Sequence, residues 1–437
     1  MVINKAFVLL AFLCCSFVNT VNSQSEDRDI KLNVLSYSAN LQPDVEKKYL
    51  RGDVTINFLL DPNINEVIFD SGSLQITRVV GESVTRFVQQ DKKLIITLAD
   101  RPKSENQVQI FYDGRPSRGF ILPEPGQAHT LYFTSEWMVC NDAPDDKAKF
   151  NLTLLIPADK ICIASGTLIK KVSKGAKVLY SWSQDYETPS YTFGFVIGSF
   201  NKFEAKYHQK ELNYYSKNNT STELETIFSK TGDMLDYFED RSGMPYVQNP
   251  YSQILIGNHY QEMSGFSILS DSYGKLVLSD STETNLISHE LAHQWWGNSI
   301  TCESWNHFWL NEGFATFMSA AYNEHRFGKE KYNADIDSYF KVYKVIKDSG
   351  KDKPLVFSSW SNPTKDDRNL VYFKGAYVLH LLRKELGEQK FWDGIKSFSQ
   401  KYSGKSVNTL QFQETMEEAT GQDMDKFFNK WIYGKEE

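Results

Sequence analysis

The sequence predicts an α+β multidomain chain: an N-terminal all-β domain of sandwich type, followed by a mostly helical domain. Three observations carry this. The length of 437 residues allows two or three domains. From about Leu32 to Phe200, β-branched and aromatic runs alternate with turn-forming residues. From about Thr222 onward, apolar residues recur at three- and four-residue spacing. A composition that is 41% hydrophobic and 14% aromatic gives both parts enough material for a core.

The strand readings are Val54–Phe58, Lys93–Leu98, Val108–Tyr112, Asn151–Ile156 and Tyr191–Ile197. The helical readings fall near Glu223–Arg241, Thr282–Asn298, Trp309–Phe327, Leu370–Leu386 and Leu410–Ala419, with one strand-like run, Gln253–Ile256, before the second of these. The change of period places a boundary near Asn201–Tyr215. The expected division is a leader over 1–23, a β domain over 24–205 and a catalytic domain over 206–437.

The leader reads as a signal peptide. Lys5 supplies a positive charge, Ala6–Val18 is too short an apolar run to span a membrane, and Val21-Asn22-Ser23 offers a small-residue cleavage site. Cys14 or Cys15 is a candidate lipid-attachment residue, although neither is preceded by the small residues such a site favours. The expected location is therefore exported, periplasmic or secreted, with a lipid anchor as a variant. No later run is apolar enough for an integral span. Behind the leader stand Cys140, Cys162 and Cys302, an odd set read as buried small side chains with at most one bridge. The net charge of −7, without a basic patch, argues against nucleic acid as a partner. Oligomeric state is left open.

The chemistry-bearing pattern is His289-Glu290-Leu291-Ala292-His293. Asp280-Ser-Thr-Glu283 resembles a capping box, so a helix is expected to start there. Residues four apart on a helix share a face, so His289 and His293 can offer imidazole nitrogens to one metal ion. Glu290 sits beside them, where it can reach an attacking water without being a ligand. A catalytic zinc wants a third protein ligand, and Glu312 in a second helical segment supplies the candidate. The bare pattern also arises by chance on ordinary amphipathic helices, and a carboxylate at a helix start can serve only the helix dipole. The two together are far rarer than either. One Zn2+ is the expected cofactor.

With these residues in view, the chain resembles the gluzincin family of aminopeptidase N and leukotriene hydrolase. His289–Asn298 is similar to that family's zinc helix, Trp305–Ala315 to its second ligand segment, and Tyr372-Phe-Lys-Gly-Ala376 to its Tyr-x-Lys-Gly segment. Asp142-Ala-Pro144, Lys147-Ala148, Ser165-Gly166 and Trp182 are similar to landmarks of its N-terminal domain. The resemblance runs from about residue 35 to 433. It implies a saddle-like β domain and a thermolysin-like catalytic domain, with Glu290 as general base and Tyr372 as hydrogen-bond donor to the oxyanion. It also implies a short form without the family's C-terminal helical domain, and hence a more open cleft.

One departure bears on substrate. The family's exopeptidase loop reads Gly-x-Met-Glu-Asn, and its glutamate binds the free α-amino group. This chain has Gln261-Glu262-Met263-Ser264-Gly265, with Ser264 at the glutamate position. Glu262 is two positions earlier, on the same face if the segment is a strand. Two readings stand, a substitute amine anchor or a solvated loop charge. Glu136 is a second candidate amine contact. The expected function is zinc-dependent hydrolysis at the N-terminal residue of peptides, with Glu262, Met263, Ser264 and Gly265 binding substrate. The alternative is an endopeptidase or a metallopeptidase of altered specificity.

Overall fold

A computed structural model of the protein describes residues 32–99, 104–356, 360 and 363–435. The expected leader over 1–23, with Cys14 and Cys15, lies outside the described residues. The chain divides into two compact units, one of Asp27–Glu225 with Gln248–Asp271 and one of Thr226–Val247 with Ser272–Glu437.

The first unit is built from strands. Its largest sheet has seven, in the order Thr167–Lys174, Lys177–Pro189, Lys147–Pro157, Leu32–Asp44, Tyr49–Leu60, Glu105–Gly114 and Gln75–Val80. All pairings are antiparallel except that of Leu32–Asp44 with Lys147–Pro157. The period of two is plain in Lys147–Pro157, where Ala148, Phe150, Leu152, Leu154 and Ile156 face inward. A three-stranded sheet holding Glu66–Asp70 and Lys93–Leu98, and a four-stranded sheet holding Phe195–Gly198, put Val67, Phe69, Leu94, Ile96, Phe195 and Ile197 into the same core. A five-stranded sheet runs Asn201–Tyr207, Lys210–Ser216, Tyr251–Leu255, Phe266–Leu269 and Gln261–Met263. Asn201–Tyr215, where the sequence suggests a boundary, is thus a β-hairpin of this sheet. The strand expected over Tyr191–Ile197 is shorter, Phe195–Gly198, because a 3-10 turn occupies Ser190–Thr192.

A buried carboxylate ties several loops of this unit together. Glu136 closes the 3-10 turn Thr134–Glu136 and is 0% exposed. Its Oε2 accepts from Ser73 N at 3.2 Å, Ser117 Oγ at 3.0 Å and Ser73 Oγ. Its Oε1 lies 3.3 Å from Arg118 Nε and 3.5 Å from Lys92 Nζ. Burial pushes its pKa up, but the two serine hydroxyls and the two cations outweigh burial and hold it below the ordinary value.

In the second unit, the helix Trp309–Phe327 is buried at every residue from Trp309 to Asn323. A helix covered all round must sit at the centre of its unit. Around it pack Asn285–Ala292, Lys329–Asp348 and Gly375–Leu386. Phe314, Phe398 and Phe412 form an aromatic cluster with ring centroids 4.9–5.8 Å apart. Trp295, Trp296 and Trp309 are buried, and each indole N–H finds an acceptor: Met244 O, Ser399 Oγ and Thr409 Oγ1. Cys140, Cys162 and Cys302 are buried thiols that form no disulfide with one another. Among the described residues, no helix is long and apolar enough to cross a membrane.

Glu136 generates a prediction about acid stability. A carboxylate whose folded pKa is depressed stabilises the fold above the unfolded value and loses that contribution as pH falls through the folded one. Replacing it by Gln should cost about 1–3 kcal/mol at pH 7. The gap to the unsubstituted protein should close as pH drops below about 4.5. Denaturant midpoints at pH 7, 5 and 3.5 check this; a gap independent of pH would show that charge is not what Glu136 contributes.

Candidate metal centre

The helix that carries His289 and is capped at its C-terminal end by His293 is short, Asn285–Ala292, and starts later than the expected Asp280. Asp280 instead folds its carboxylate over Thr282 N and Oγ1. The free amides of the helix start are met from two sides. Glu283 Oε1 accepts from Asn285 N at 2.9 Å, and Tyr273 Oη accepts from Leu286 N at 3.1 Å. The helix is then bolted to the central one: Ser288 Oγ lies 2.7 Å from Ser319 Oγ, Ser319 Oγ donates to Asn285 O, and Asn323 Nδ2 donates to Asn285 Oδ1.

His289 and His293 fall on one face, as four-residue spacing requires, and their Nε2 atoms are 3.0 Å apart. Glu312 arrives from the first turn of Trp309–Phe327. Its Oε2 is 3.4 Å from His289 Nε2 and 3.3 Å from His293 Nε2. Both of its oxygens are buried, and neither makes a hydrogen bond of good geometry. Zinc bonds of about 2.0–2.1 Å at tetrahedral angles set ligand atoms about 3.3 Å apart. The two nitrogens and one carboxylate oxygen already hold that spacing. Two neutral imidazoles and a carboxylate are also the donor types zinc takes. His289, His293 and Glu312 therefore fit one zinc ion, and they form a group of potential metal ligands here.

The outer ring nitrogens are held as well, which sequence reasoning missed. His293 Nδ1 lies 3.0 Å from Trp296 O, so Nδ1 carries the proton and Nε2 presents its lone pair. The chain reaches this contact by leaving the helix at His293 and curling through Gln294–Gly297. Gly297 has φ +144°, and a Cβ there would sit 2.8 Å from His293 Nδ1. His289 Nδ1 lies 3.4 Å from Thr316 Oγ1, one turn beyond Glu312 on the central helix. The four-residue offset from Glu312 was the signal available for Thr316. Burial pushes the His289 pKa down, which keeps its ring neutral, while Glu312 pulls the other way.

Glu290 is buried and follows His289 directly, so it is rotated about 100° around the same helix. Tyr372 lies in a π turn, Leu370–Lys374, between two helices. Its ring stacks on that of His289, with centroids 5.8 Å apart and planes 13° from parallel. The turn is pressed onto the central helix at a glycine pair: a Cβ on Gly375 would meet Gly313 Cα at 3.0 Å.

The segment Glu262–Gly265 belongs to the other unit. Glu262 is on the strand Gln261–Met263 and only 1% exposed, which removes the solvated-charge reading. Its Oε2 accepts from Gln261 Nε2 at 2.6 Å, and Gln261 Oε1 accepts from Tyr132 N. The strand ends at Met263, so Ser264 does not share its face as expected. Ser264 N donates to Thr192 O, and Ser264 Oγ accepts from Gln248 Nε2 at 2.8 Å. Met263 is fully buried against Gly194, and Gly265 turns the chain at φ +82°. Glu136 is committed to its serines and cations. Asn311 Oδ1 accepts from Cys302 N, and His307 Nδ1 is 2.9 Å from Thr409 Oγ1.

Comparison with known proteins agrees with this geometry. Residues 226–431 match the Peptidase family M1 domain, and residues 33–192 match the Peptidase M1 N-terminal domain. Aminopeptidase M1-B of Oryza sativa subsp. japonica is 23% identical over 91% of this chain and 49% of its own length. Leucine aminopeptidase 2 of Aspergillus oryzae is 28% identical over 65% of this chain and 47% of its own. The chain spans about half the length of the curated relatives it matches. The M1 zinc metallopeptidase from Deinococcus radiodurans shares the fold at a TM-score of 0.78 and 22% identity, covering 93% of this chain and 94% of that one. On both domain matches, and on the zinc-type constellation that lies within the first, the chain belongs to peptidase family M1.

Proposed function

We propose that this chain is a zinc-dependent aminopeptidase that hydrolyses the first peptide bond of peptides. The observation that carries the reading is the convergence of His289, His293 and Glu312 at 3.0–3.4 Å, with Glu290 next to the first ligand. A zinc ion held by these three would supply Lewis-acid activation of a water and of the peptide carbonyl. Glu290 takes the proton of the attacking water on its carboxylate and returns it to the leaving amine nitrogen. Tyr372, held against the His289 ring, donates its phenolic hydrogen bond to the carbonyl oxygen as that oxygen gains charge. Thr316 and the Trp296 carbonyl keep the two imidazoles in the metal-binding orientation.

Glu262 is the proposed amine anchor. The support is its place in the loop that resembles the family's exopeptidase segment, together with the burial of its carboxylate. Met263 and Gly265 shape that loop. One observation favours the second reading, an endopeptidase: the residue at the family's glutamate position, Ser264, has its hydroxyl engaged by Gln248. The leader-like 1–23 supports export to the periplasm or outside the cell, with Cys14 or Cys15 as the lipid-anchored variant. The relatives named as aminopeptidases support the exopeptidase reading.

Three outcomes are expected. Glu290→Gln should retain one zinc per chain by metal analysis while kcat falls roughly a hundred- to ten-thousandfold; full activity would remove Glu290 from its role. N-acetylation of an aminoacyl chromogenic substrate should abolish turnover, whereas equal rates would establish the endopeptidase reading. Glu262→Ala should raise KM for free-amine substrates about tenfold, the weight of one charge-assisted contact; an unchanged KM would end its assignment as anchor.

A further inference from the structure

We propose that Lys374, through its ion pair with Asp352, is a positioning residue that holds Tyr372 in its aim at the metal centre. This rests on the reading of Tyr372 as the oxyanion donor. The starting point is the π turn. The helix that begins at Lys365 gives way at Leu370 to a π turn and resumes as α-helix at Gly375. A π turn adds a residue to the helical path and turns the side chains on either side out of register. The direction of Tyr372 is therefore a property of this turn and not of an uninterrupted helix. A bulge of this kind needs external support to persist.

The support comes from two sides. The Gly313–Gly375 contact presses the turn onto the helix that carries Glu312. On the other side lie three consecutive residues, Lys351, Asp352 and Lys353. Lys351 Nζ is 2.9 Å from Asp366 Oδ2, and Lys353 Nζ is 2.6 Å from Asp367 Oδ1, at the start of the interrupted helix. Asp352 Oδ1 is 2.7 Å from Lys374 Nζ, at the end of the π turn. The tripeptide thus ties the start of the helix that leads into the turn to the turn's last residue. Asp367 also closes a capping box with Thr364, which fixes the near end.

The three pairs are not equivalent. The side-chain exposures are 63% and 33% for Lys351–Asp366, 49% and 9% for Lys353–Asp367, and 4% for Lys374 against 30% for Asp352. Only the last has its cation out of water. Lys374 Nζ also donates to Lys353 O at 2.6 Å, and Asp352 Oδ2 accepts from Tyr343 Oη at 2.9 Å. The exposed pairs are screened and contribute little. A buried pair is often replaceable by apolar residues without loss of stability, and what it supplies is one defined geometry. Here that geometry belongs to the backbone two residues from the Tyr372 ring.

The test uses zinc-loaded enzyme and a free-amine aminoacyl substrate. Lys374→Met should lower kcat about ten- to a hundredfold, with KM changed less than about threefold and zinc content unchanged. In a Tyr372→Phe background the same substitution should cost less than about twofold more, because the group it positions is gone. The apolar pair Lys374→Met with Asp352→Leu should recover the thermal midpoint but not kcat. Lys351→Ala should stay within about twofold of the unsubstituted enzyme. The proposal is overturned if Lys374→Met keeps kcat, if its loss multiplies fully with that of Tyr372→Phe, or if the apolar pair restores kcat together with stability. Failure of both Lys374 variants to fold also overturns it, since the pair would then be a folding element. A Tyr372→Phe enzyme of full activity sinks the oxyanion reading itself, an outcome separate from the others.

Discussion

The docking of the short histidine helix on the buried helix Trp309–Phe327 is the constraint from which the rest of the metal centre follows. A slip of one residue along the central helix would move Glu312 about 1.5 Å and turn it by about 100°. The slip is blocked by polar contacts that tolerate one register only: Ser288 against Ser319, and Asn285 against Ser319 and Asn323. These groups are buried, so an unmade contact would cost about 1–3 kcal/mol each. Packing of apolar side chains alone would permit sliding; hydrogen bonds of fixed direction do not. The same helix carries Glu312, Gly313 and Thr316, and so sets the third ligand, the seat of the Tyr372 turn and the partner of His289 at once.

The interior of this unit is therefore more polar than its composition suggests. Asn323 illustrates the arrangement. Its side chain accepts from Thr284 Oγ1 and donates to Asn285 Oδ1 and Asp335 Oδ2, and Asp335 in turn takes Lys331. The chain of contacts runs from the start of the histidine helix to the helix Lys329–Asp348. The β unit uses the same device at Glu136, where one carboxylate gathers Ser73, Ser117, Arg118 and Lys92 from separate segments. In both units, fully satisfied buried polar groups select one arrangement among several that apolar packing would allow.

What the sequence disclosed follows the range of the forces involved. His289 and His293 were legible because helical geometry converts a four-residue spacing into proximity, and the strands around Val54, Lys93 and Asn151 were legible because alternation survives without tertiary context. The helix Lys329–Asp348 was missed although Tyr332, Ile336, Tyr339, Tyr343 and Ile346 mark its inner stripe at three- and four-residue steps. Its many charges masked a regular pattern. The late start of the histidine helix was not legible, because its caps come from Tyr273 and Glu283 in place of the expected box. Nor was the burial of Glu136, which depends on Ser73 far away in the chain, or that of Glu262, whose partner Gln261 is itself held by Tyr132. The π turn at Tyr372 leaves no mark in composition, being the outcome of a glycine contact and a charged brace.

The two imidazoles differ in what governs them. One ring is oriented by a side-chain hydroxyl, that of Thr316, and the other by the peptide carbonyl of Trp296. Every residue type carries a carbonyl, so no exchange of side chain at position 296 deletes that acceptor. The hydroxyl, by contrast, can be swapped for a carboxylate, an amide or a methyl group. Between the two imidazoles, a side chain can adjust the basicity of His289 only, while His293 is hard-wired by the main chain. Tuning of this pair, by natural drift or by a designer's hand, enters through the threonine side.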